Sequence, residues 1–469
     1  MIITIEKDIQ LEDAPYQIID ALRKELTITN PAYLDAEKMG RWTGNIPKTI
    51  NYWRTEEIDT PTPYGRLPSH TKRVFAIPRG YLRALGRKCA QESLTYTIID
   101  NRRTLPLVDL KFTGVLRDYQ DEGVTAMVLN GSTQGILQAS TGSGKTVMAL
   151  RIAAIGKQPF LVIVGTKELL HQWIARIETF LGIPKAEIGI IGNGKVKMGT
   201  RATVAIVKTL YDYVGIVNEC VGFVIVDECH HAASRTMSEA LAGLDCKYVL
   251  GLSATPHRRD RLDVLLTAFV GDVLHVVNQA KLLEDGAIVP IEHVAVNTEY
   301  RSDVNMVEEY SKGLSHLTES FVRNRLIINH IVKEIKNEGI CLVLSDRKSH
   351  CYELQGMLLA WGHSSMVLTG DMGDVHRKGV MEDLRAGQIK ILISTSQLVS
   401  EGIDVADITA LFLCTPIKWS GRVLQTVGRA MRPAPGKSAA RIIDFVDINE
   451  PVLAASYHTR VRTLKSLKA

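Results

Sequence analysis

The chain has 469 residues, 45% hydrophobic and 23% charged, with a net charge of +5, the composition of an ordinary soluble globular protein of about three domains. It has no run of eighteen apolar residues and no basic N-terminus followed by an apolar core, so neither a transmembrane helix nor a secretory signal is expected. The seven scattered cysteines favour a reducing cytoplasm over a disulfide framework.

Residues 1–112 carry no nucleotide-binding motif, but the stretch from Lys38 to Ala90 is basic. It holds eleven Lys or Arg residues against three acidic ones, interleaved with aromatic residues and Gly/Pro turns. This pattern predicts a small β-rich module that follows a phosphate backbone and stacks bases, with Arg41, Trp42 and Trp53 as candidate nucleic-acid contacts. The alternative is a solvated basic face over an aromatic core.

From Phe112 onward, short apolar runs alternate with helical patterns. Continuously apolar strands separated by helices form parallel sheets covered on both faces, so these runs predict α/β architecture. One set falls in residues 113–277 and a second in 278–469, whose first part, about 278–325, is less periodic and is predicted to be a connecting segment or insert. The predicted strands are 135–138, 160–164, 202–207, 222–226 and 248–252 in the first set, and 340–344, 389–393, 409–413 and 440–446 in the second.

The stretch Ala139-Ser140-Thr141-Gly142-Ser143-Gly144-Lys145-Thr146 lies between a predicted strand and a predicted helix. In that context a glycine-rich turn and the helix N-terminus direct backbone N–H groups at phosphate oxygens, so residues 140–146 are candidate nucleotide contacts. Lys145 is expected to reach the β- and γ-phosphates, and Thr146 to coordinate Mg²⁺. The stretch predicts a nucleoside triphosphate site, and a plain Gly/Ser-rich loop is the alternative.

Two carboxylates, Asp227 and Glu228, directly follow the apolar run 222–226. At the end of a strand, Asp227 is placed to hold Mg²⁺, directly or through water. Glu228 is placed to orient and deprotonate a water molecule aimed at the γ-phosphate. A capped loop is the alternative, but the position after a hydrophobic strand downstream of Lys145 favours a catalytic role.

Two arginines of the second α/β unit share one face of a predicted helix, because Arg429 and Arg432 are three positions apart. Planar guanidinium groups suit a γ-phosphate on which charge develops. Since their unit has no phosphate-binding loop of its own, we expect hydrolysis to require closure of a cleft between the two units. Ser253 and Thr255, after the predicted strand 248–252, are expected to relay that closure, and a hydroxyl-rich turn is the alternative.

Taken in order, these motifs resemble those of superfamily 2 helicases over roughly residues 113–446, and most of all the branch that holds XPB and UvsW. Asp227-Glu228-Cys229-His230 resembles the second motif of that superfamily. The resemblance implies two tandem RecA-like lobes, 113–277 and 278–469, with parallel sheets, after a small α+β or β-rich module, 1–112. By matching motifs it adds the catalytic residue Gln425, the nucleotide-binding residues Arg117, Gln120, Gly402 and Asp404, and the nucleic-acid contacts Thr166, Lys167 and Thr395.

The resemblance further implies an ATP-dependent DNA helicase or translocase that uses Mg²⁺ and remodels branched or forked DNA, by fork regression, branch migration or annealing. It would work in a bacterial cell or a phage-infected host, beside other recombination or replication proteins and away from membranes. The motor subunit of a restriction system, an RNA helicase and a non-catalytic nucleotide-dependent clamp are the alternatives. Lys145, Asp227, Glu228 and Arg429 argue against the clamp, and because only a short stretch follows Arg432 no nuclease domain is expected behind the motor.

Overall fold

A computed structural model describes residues 1–59, 71–129, 133–140, 142–254, 263–335, 339–400, 408–417, 427–428, 430–434 and 436–466. The chain forms two compact units. The first consists of Met1–Ala139 with Gly144–Val277, and the second of Ser140–Ser143 with Asn278–Ala469. No helix in the described part of the chain combines the length and the apolar content needed to cross a lipid bilayer.

The N-terminal part of the first unit is a five-stranded sheet in the order β5-β6-β2-β1-β7, with three helices and a short β3–β4 pair. In β1 and β2 the buried isoleucines and leucine alternate with more exposed residues, as expected for strands with one covered face. The elements are β1 Ile2–Ile5, β2 Asp8–Glu12, α1 Tyr16–Glu25, β3 Thr27–Thr29, α2 Pro31–Lys38, β4 Thr49–Asn51, β5 Arg54–Asp59, β6 Thr71–Pro78, α3 Leu82–Gln91 and β7 Thr97–Asp100.

The rest of the first unit is an eight-stranded sheet in the order β11-β10-β12-β9-β13-β14-β8-β15, in which only the β10–β11 pair is antiparallel. Strands β9, β12 and β13 are buried along their whole length because helices cover the sheet. The elements are α4 Asp118–Leu129, β8 Gln134–Gln138, α5 Lys145–Gly156, β9 Phe160–Val164, α6 Lys167–Leu181, β10 Gly189–Gly192, β11 Lys195–Lys197, β12 Ala202–Ile206, α7 Val207–Leu210, α8 Val214–Cys220, β13 Phe223–Val226, α9 Arg235–Ala242, β14 Tyr248–Ser253, α10 Asp263–Phe269 and β15 Val273–Val276.

The two sheets of the first unit share one hydrophobic core, which runs from Ile3 to Val270. Contact is closest at the 3-10 turn Arg79–Tyr81, which packs on α10. A Cβ atom on Gly80 would lie 2.4 Å from the backbone oxygen of Thr267, so only glycine fits there. Beside it, the buried Arg79 donates a hydrogen bond from Nη1 to the backbone oxygen of Cys246 at 2.6 Å.

The second unit is built on a six-stranded, wholly parallel sheet in the order β16-β21-β20-β17-β19-β18. Two parallel α/β sheets after a strand-rich N-terminal region confirm the predicted fold class. The elements are α11 Gln279–Glu284, β16 Ile291–Asn297, α12 Tyr310–Glu319, α13 Phe321–Ile335, β17 Ile340–Ser345, α14 Lys348–Ala360, β18 Met366–Leu368, α15 Asp374–Arg385, β19 Ile391–Thr395, α16 Ser396–Ser400, β20 Ile408–Leu413, β21 Ala440–Val446 and α17 Pro451–Ser466.

Buried polar groups tie the helices of the second unit to the end of its sheet. Arg323 on α13 makes two hydrogen bonds to Asp447, at 2.8 and 3.1 Å, and Arg460 on α17 makes two to Asp444, at 2.9 and 2.8 Å. All four side chains are almost completely buried. Charges removed from water need such paired, hydrogen-bonded geometry, so these pairs fix where α13 and α17 lie on the sheet.

The segment predicted as a connection or insert, about 278–325, contains a strand of the second sheet. It supplies β16, which pairs with β21 along seven residues and forms one edge of the second sheet. Most side chains of β16 are only half-buried or exposed, so the strand lacks the continuous apolar run on which the other predictions depended.

Candidate active site

The carboxyl ends of four neighbouring strands meet at one edge of the first α/β sheet. Strands β9, β13, β14 and β8 are adjacent and parallel, so whatever follows each of them lies at the same edge. The glycine-rich loop follows β8, Asp227 follows β13, and Ser253 is the last residue of β14. Ligands of open α/β sheets bind at this edge, which makes it the candidate active site.

Two glycines give the loop 139–146 its shape. Gly142 and Gly144 have φ values of +94° and +83°, which residues with a side chain rarely adopt. The Ser143 amide and hydroxyl both donate to the backbone oxygen of Ser140, at 3.2 and 2.7 Å, so the loop closes on itself. Helix α5 then begins at Lys145; the amides of Val147 and Met148 donate to the Gly144 backbone oxygen, and the N-terminal end of the helix suits phosphate oxygens. Thr146 lies in that turn, and Thr141 is outside the described residues.

Gln120 and Arg117 lie next to this loop. The Gln120 side chain is buried, and its Oε1 accepts a hydrogen bond from the Arg117 amide at 3.0 Å. A Cβ atom on Gly144 would come within 2.3 Å of Gln120 Nε2, so the glutamine packs directly on the second glycine. The structure thus brings Arg117 and Gln120, predicted nucleotide-site residues, next to the glycine-rich loop.

Lys145 reaches across the sheet edge to Glu228, with 3.6 Å between Nζ and Oε1. Its Nζ is enclosed by protein, yet in the described part of the chain it has no hydrogen-bond acceptor. An ammonium group away from water needs acceptors, and phosphate oxygens are suitable ones. The residues present therefore fit a bound nucleoside triphosphate.

The Asp227 carboxylate is held by two donors. Trp173 on α6 donates from Nε1 to Oδ2 at 2.8 Å, and the Glu228 amide donates to Oδ1 at 3.0 Å. Burial, together with the neighbouring Glu228 charge, raises the pKa of Asp227. Burial also acts to raise the pKa of Glu228, but the Lys145 ammonium and His230 outweigh it and lower that pKa below its usual value. Of the two carboxylates, Glu228 therefore ionises more readily.

The backbone at Glu228 is strained. Its φ of +47° and ψ of 52° lie in the left-handed region, an uncommon place for a residue other than glycine. Such strain persists only where the surroundings enforce it, and it often marks functional sites. Here the conformation turns the chain sharply after β13 and brings the carboxylate towards Lys145.

His230 connects Glu228 to the end of the next strand. Its Nδ1 lies 3.3 Å from Glu228 Oε2 and 3.4 Å from the hydroxyl oxygen of Ser253. Ser253 is fully buried, and its backbone oxygen accepts from the Ala139 amide at 3.0 Å. The sequence pattern includes His230 in a motif but assigns no site role to His230 or Trp173. His230 could have been found from its place two residues after Glu228, whereas an indole inside a helical apolar pattern gives no signal beyond packing.

The predicted nucleic-acid contacts lie on several elements. Thr166 caps α6 by accepting from the Leu169 amide at 3.3 Å, and Lys167 is the first residue of that helix. Thr395 is the last residue of β19. Arg41 is exposed in the loop after α2, beside Trp42, whose side chain is 73% exposed.

Trp53 has protein partners on its ring. It stacks on Phe75 with 5.6 Å between ring centroids, and the Arg23 guanidinium lies 4.8 Å from its centroid. Its Nε1 donates to Thr27 at 2.9 Å. These contacts favour packing for Trp53 and leave Trp42 as the better candidate for stacking on a base.

Several predicted residues of the second unit lie outside the described residues: Gly402, Asp404, Gln425 and Arg429, as does Thr255 of the first unit. Arg432 is described and half-buried, and its backbone oxygen accepts a hydrogen bond from Lys437 at 2.9 Å.

Two family models match the chain, and together they span more than half of it. Residues 113–258 match the family described as "Type III restriction enzyme, res subunit", and residues 323–434 match the "Helicase conserved C-terminal domain". The first match covers the glycine-rich loop, Asp227 and Glu228, and the second ends two residues after Arg432.

Proteins of similar sequence are also named as helicases or translocases. Probable helicase D10 of Escherichia phage T5 is 26% identical over 90% of this chain and 90% of its own. DNA 3'-5' translocase XPB2 of Sulfurisphaera tokodaii is 26% identical over 70% of this chain and 81% of its own. ATP-dependent DNA helicase uvsW of Enterobacteria phage T4 is 23% identical over 70% of this chain and 68% of its own.

Proposed function

Because the chain belongs to superfamily 2 of the helicases, and to the XPB/UvsW-like type within it, we propose that its substrate is DNA and that it remodels branched junctions. Membership of this family makes the protein an ATP-hydrolysing helicase that acts on nucleic acid. The observation that carries the chemistry is the meeting of Lys145, Asp227 and Glu228 at one sheet edge, with Lys145 Nζ enclosed and 3.6 Å from Glu228.

In the proposed reaction each residue at this edge has one task. The amides of the loop and of the first turn of α5 bind the phosphates, and Lys145 places its charge on the β- and γ-phosphates. Glu228, ionised at neutral pH, takes the proton of the attacking water. His230 contacts Glu228 Oε2 and the Ser253 hydroxyl, and it orients the Glu228 carboxylate together with Ser253.

The donor set at this edge also fits Mg²⁺. Hard cations prefer carboxylate and hydroxyl oxygens, and Asp227 and Thr146 supply one of each. When bound there, Mg²⁺ would neutralise charge that develops on the phosphates. The two donors on Asp227 leave further lone pairs on both carboxylate oxygens for the cation or for its water molecules.

The choice of branched DNA rests on the N-terminal part of the chain and on its relatives. Two relatives are named for DNA, and the basic N-terminal stretch carries the exposed pair Arg41 and Trp42. A cation next to an exposed ring suits a strand whose bases are unstacked, which is the situation at a junction.

The test is the ATPase rate in the presence of single-stranded, duplex, forked and four-way DNA of matched sequence, and of RNA. We expect forked and four-way DNA to stimulate hydrolysis more than linear duplex. The Glu228→Gln variant, assayed in parallel, identifies any ATPase that does not come from this site. Equal stimulation by linear and branched DNA would contradict the junction proposal, and stronger stimulation by RNA would favour an RNA helicase.

The match to a restriction-subunit family favours one second candidate, a motor that acts only with partner subunits. Such a motor would hydrolyse ATP rapidly on linear duplex DNA when its partners are present and would not prefer junctions. The same set of DNA substrates therefore separates the two candidates.

A further inference from the structure

Trp173 lies between two predicted sites, the carboxylate Asp227 and the beginning of α6. Thr166 caps α6 and Lys167 begins it, and Trp173 follows about two helical turns later, about 10 Å along the axis. Its side chain, 2% exposed, lies on the buried face of α6 with Leu170 and Ile177. The indole is therefore fixed in place by the packing of the helix on the sheet.

The hydrogen bond from this indole helps to set the orientation of the Asp227 carboxylate. Oδ2 accepts from Trp173 at 2.8 Å, and Oδ1 accepts from the Glu228 amide at 3.0 Å. One donor comes from α6 and the other from the turn after β13, so the carboxylate cannot rotate without losing one of them. Lone pairs remain on both oxygens, which gives the carboxylate a defined direction towards a cation.

An indole is suited to this task because it is uncharged. It has a single N–H donor and no acceptor, so it satisfies the carboxylate without neutralising it. A lysine or arginine at the same place would cancel the charge that attracts a cation. Partners that hold a metal ligand in this way commonly change metal affinity by about 10- to 100-fold when they are removed.

We propose that Trp173 is a positioning residue that sets the direction of the Asp227 carboxylate and makes it depend on the placement of α6. The inference rests on the proposed function, in which Asp227 holds Mg²⁺, and on the predicted nucleic-acid contacts Thr166 and Lys167 at the beginning of α6. Binding of a nucleic-acid strand at Thr166 and Lys167 then alters the affinity of Asp227 for Mg²⁺ through the hydrogen bond from Trp173. Linkage is reciprocal, so Mg²⁺·nucleotide alters the affinity for the strand by the same factor.

The first test uses Trp173→Phe, which removes the N–H and keeps an aromatic ring, with Trp361→Phe as its matched control. Trp361 follows α14 in the second unit and is 44% exposed. Calorimetry gives the Kd of ADP with Mg²⁺ and with EDTA. The ratio of the ADP Kd in EDTA to the ADP Kd in Mg²⁺ should be about tenfold smaller in Trp173→Phe than in the parent. The Kd in EDTA should stay unchanged. In Trp361→Phe both values should equal those of the parent.

Two results would overturn the positioning role. One is an unchanged Mg²⁺-dependent tightening in folded Trp173→Phe. The other is an equal weakening with Mg²⁺ and with EDTA, which marks a residue needed only for packing. Neither measurement involves nucleic acid, so both stand whichever nucleic acid proves to be the substrate.

The second test concerns the link to nucleic acid. The affinity for a single-stranded DNA oligonucleotide is measured with and without Mg²⁺·ADP–beryllium fluoride. The parent should show a coupling factor of about 5 or more, and Trp173→Phe a factor near one with unchanged affinity for the oligonucleotide alone. An unchanged factor in Trp173→Phe would overturn the link. A parent without coupling to DNA or RNA would overturn the proposed function and the link together, but not the Mg²⁺ result.

If Trp173→Phe does not fold, ¹⁹F NMR of parent protein labelled with 5-fluorotryptophan replaces it. The chain has five tryptophans. The Trp173 resonance is the one that persists in each of Trp42→Phe, Trp53→Phe, Trp361→Phe and Trp419→Phe. Adding Mg²⁺ to the ADP-bound protein should shift that resonance, and a resonance that stays in place at saturating Mg²⁺ overturns the inference.

Discussion

At the scale of single residues, Glu228 is the side chain whose loss should separate ATP binding from ATP hydrolysis. Glu228→Gln keeps the size of the side chain but cannot accept the proton of water, so we expect kcat to fall by about 10²- to 10⁴-fold. ATP should still bind, because Lys145 and the loop amides remain, whereas Lys145→Ala should weaken binding. Steady-state ATPase and calorimetric ATP binding check both effects.

The matched control for Glu228→Gln is Glu239→Gln, an exposed glutamate on α9 that pairs with Arg235. It should leave both kcat and ATP affinity unchanged. A Glu228→Gln protein that hydrolyses ATP at the parental rate in the presence of DNA would show that another group is the base.

Trp42 and Trp53 should respond differently to truncation. Trp42→Ala removes a ring that is 73% exposed, so the melting temperature should not change, while the affinity for single-stranded DNA should fall by about 1–3 kcal/mol if the ring stacks on a base. Trp53→Ala removes the contacts with Phe75 and Arg23 and should lower the free energy of unfolding by up to about 3 kcal/mol. Thermal melting and fluorescence anisotropy measure the two quantities, and parental DNA binding by Trp42→Ala would show that the Trp42 ring does not stack on a base.

At the scale of secondary-structure elements, His350 joins α13, α14 and the end of β17. Its Nδ1 lies 2.9 Å from Ser345 Oγ, and its Nε2 lies 2.9 Å from Asn324 Oδ1. Asn324 Nδ2 donates to the Thr318 backbone oxygen and to Glu353, which leaves Oδ1 as the acceptor for a neutral imidazole protonated at Nε2. Burial, with Arg323 nearby, lowers the pKa of His350 to about 3.

This depressed pKa predicts how stability depends on pH. Between about pH 6.5 and pH 3 the unfolded chain binds a proton at His350 and the folded chain does not. His350 therefore lowers the free energy of unfolding by about 1.4 kcal/mol per pH unit on acidification, and contributes no slope above pH 6.5. In His350→Gln, melting temperatures measured from pH 7 to pH 4 should fall less steeply than in the parent. His376→Gln, on the exposed face of α15, is the control and should keep the parental slope.

The elements also show which parts of the fold the sequence can predict. Strands buried on both faces, such as β9, β13 and β17, appear as continuous apolar runs, and their predicted and observed bounds differ by one residue at most. The missed strands β15, β16 and β18 are edge strands that are short or half-exposed, so their sequences lack that run. The β10–β11 hairpin was missed although Asn193 and Gly194, both at positive φ, form its turn.

The same limit applies to the candidate site. Asp227, Glu228 and Lys145 could be predicted because they directly follow strong strand signals. The indole that holds Asp227 could not, because Trp173 reaches the site by folding and is not adjacent to Asp227 in sequence. Gln120, which packs on Gly144, was predicted only through the family resemblance.

At the scale of the whole molecule, the N-terminal part is not separable from the sheet that follows it. They share a core, and Tyr52 packs edge-on against Phe269 of α10 with 5.6 Å between centroids. The sequence pattern predicts that residues 1–112 form a separate module and that a fragment starting near Phe112 folds without it. A fragment that starts near Phe112 would instead expose the face of α10 on which Arg79–Tyr81 packs, so we expect it to be insoluble or to melt well below the full chain. Expression and thermal melting of residues 113–469 against 1–469 check this expectation.

A fragment that melts like the full chain would contradict that expectation. In either case the DNA-reading role is better tested within the full chain, with Arg41→Ala. If Arg41 contacts a phosphate, its loss should make the dependence of log K on log salt shallower by about one unit.

The close approach of Gly80 to the Thr267 carbonyl holds the N-terminal sheet at a fixed distance from the first α/β sheet, and this distance can serve as a reference in measurements of motion. A contact with no room for one added carbon cannot slide, so points on the N-terminal sheet keep a constant distance from points on the first α/β sheet. Dyes attached at the exposed positions Glu92 and Lys195, with the exposed Cys220 replaced by serine, should show the same energy-transfer efficiency at every stage of ATP turnover. This pair of dyes would give a constant reference distance within the first unit. Any change seen when the second dye is moved into residues 278–469 would then report displacement of the second unit alone.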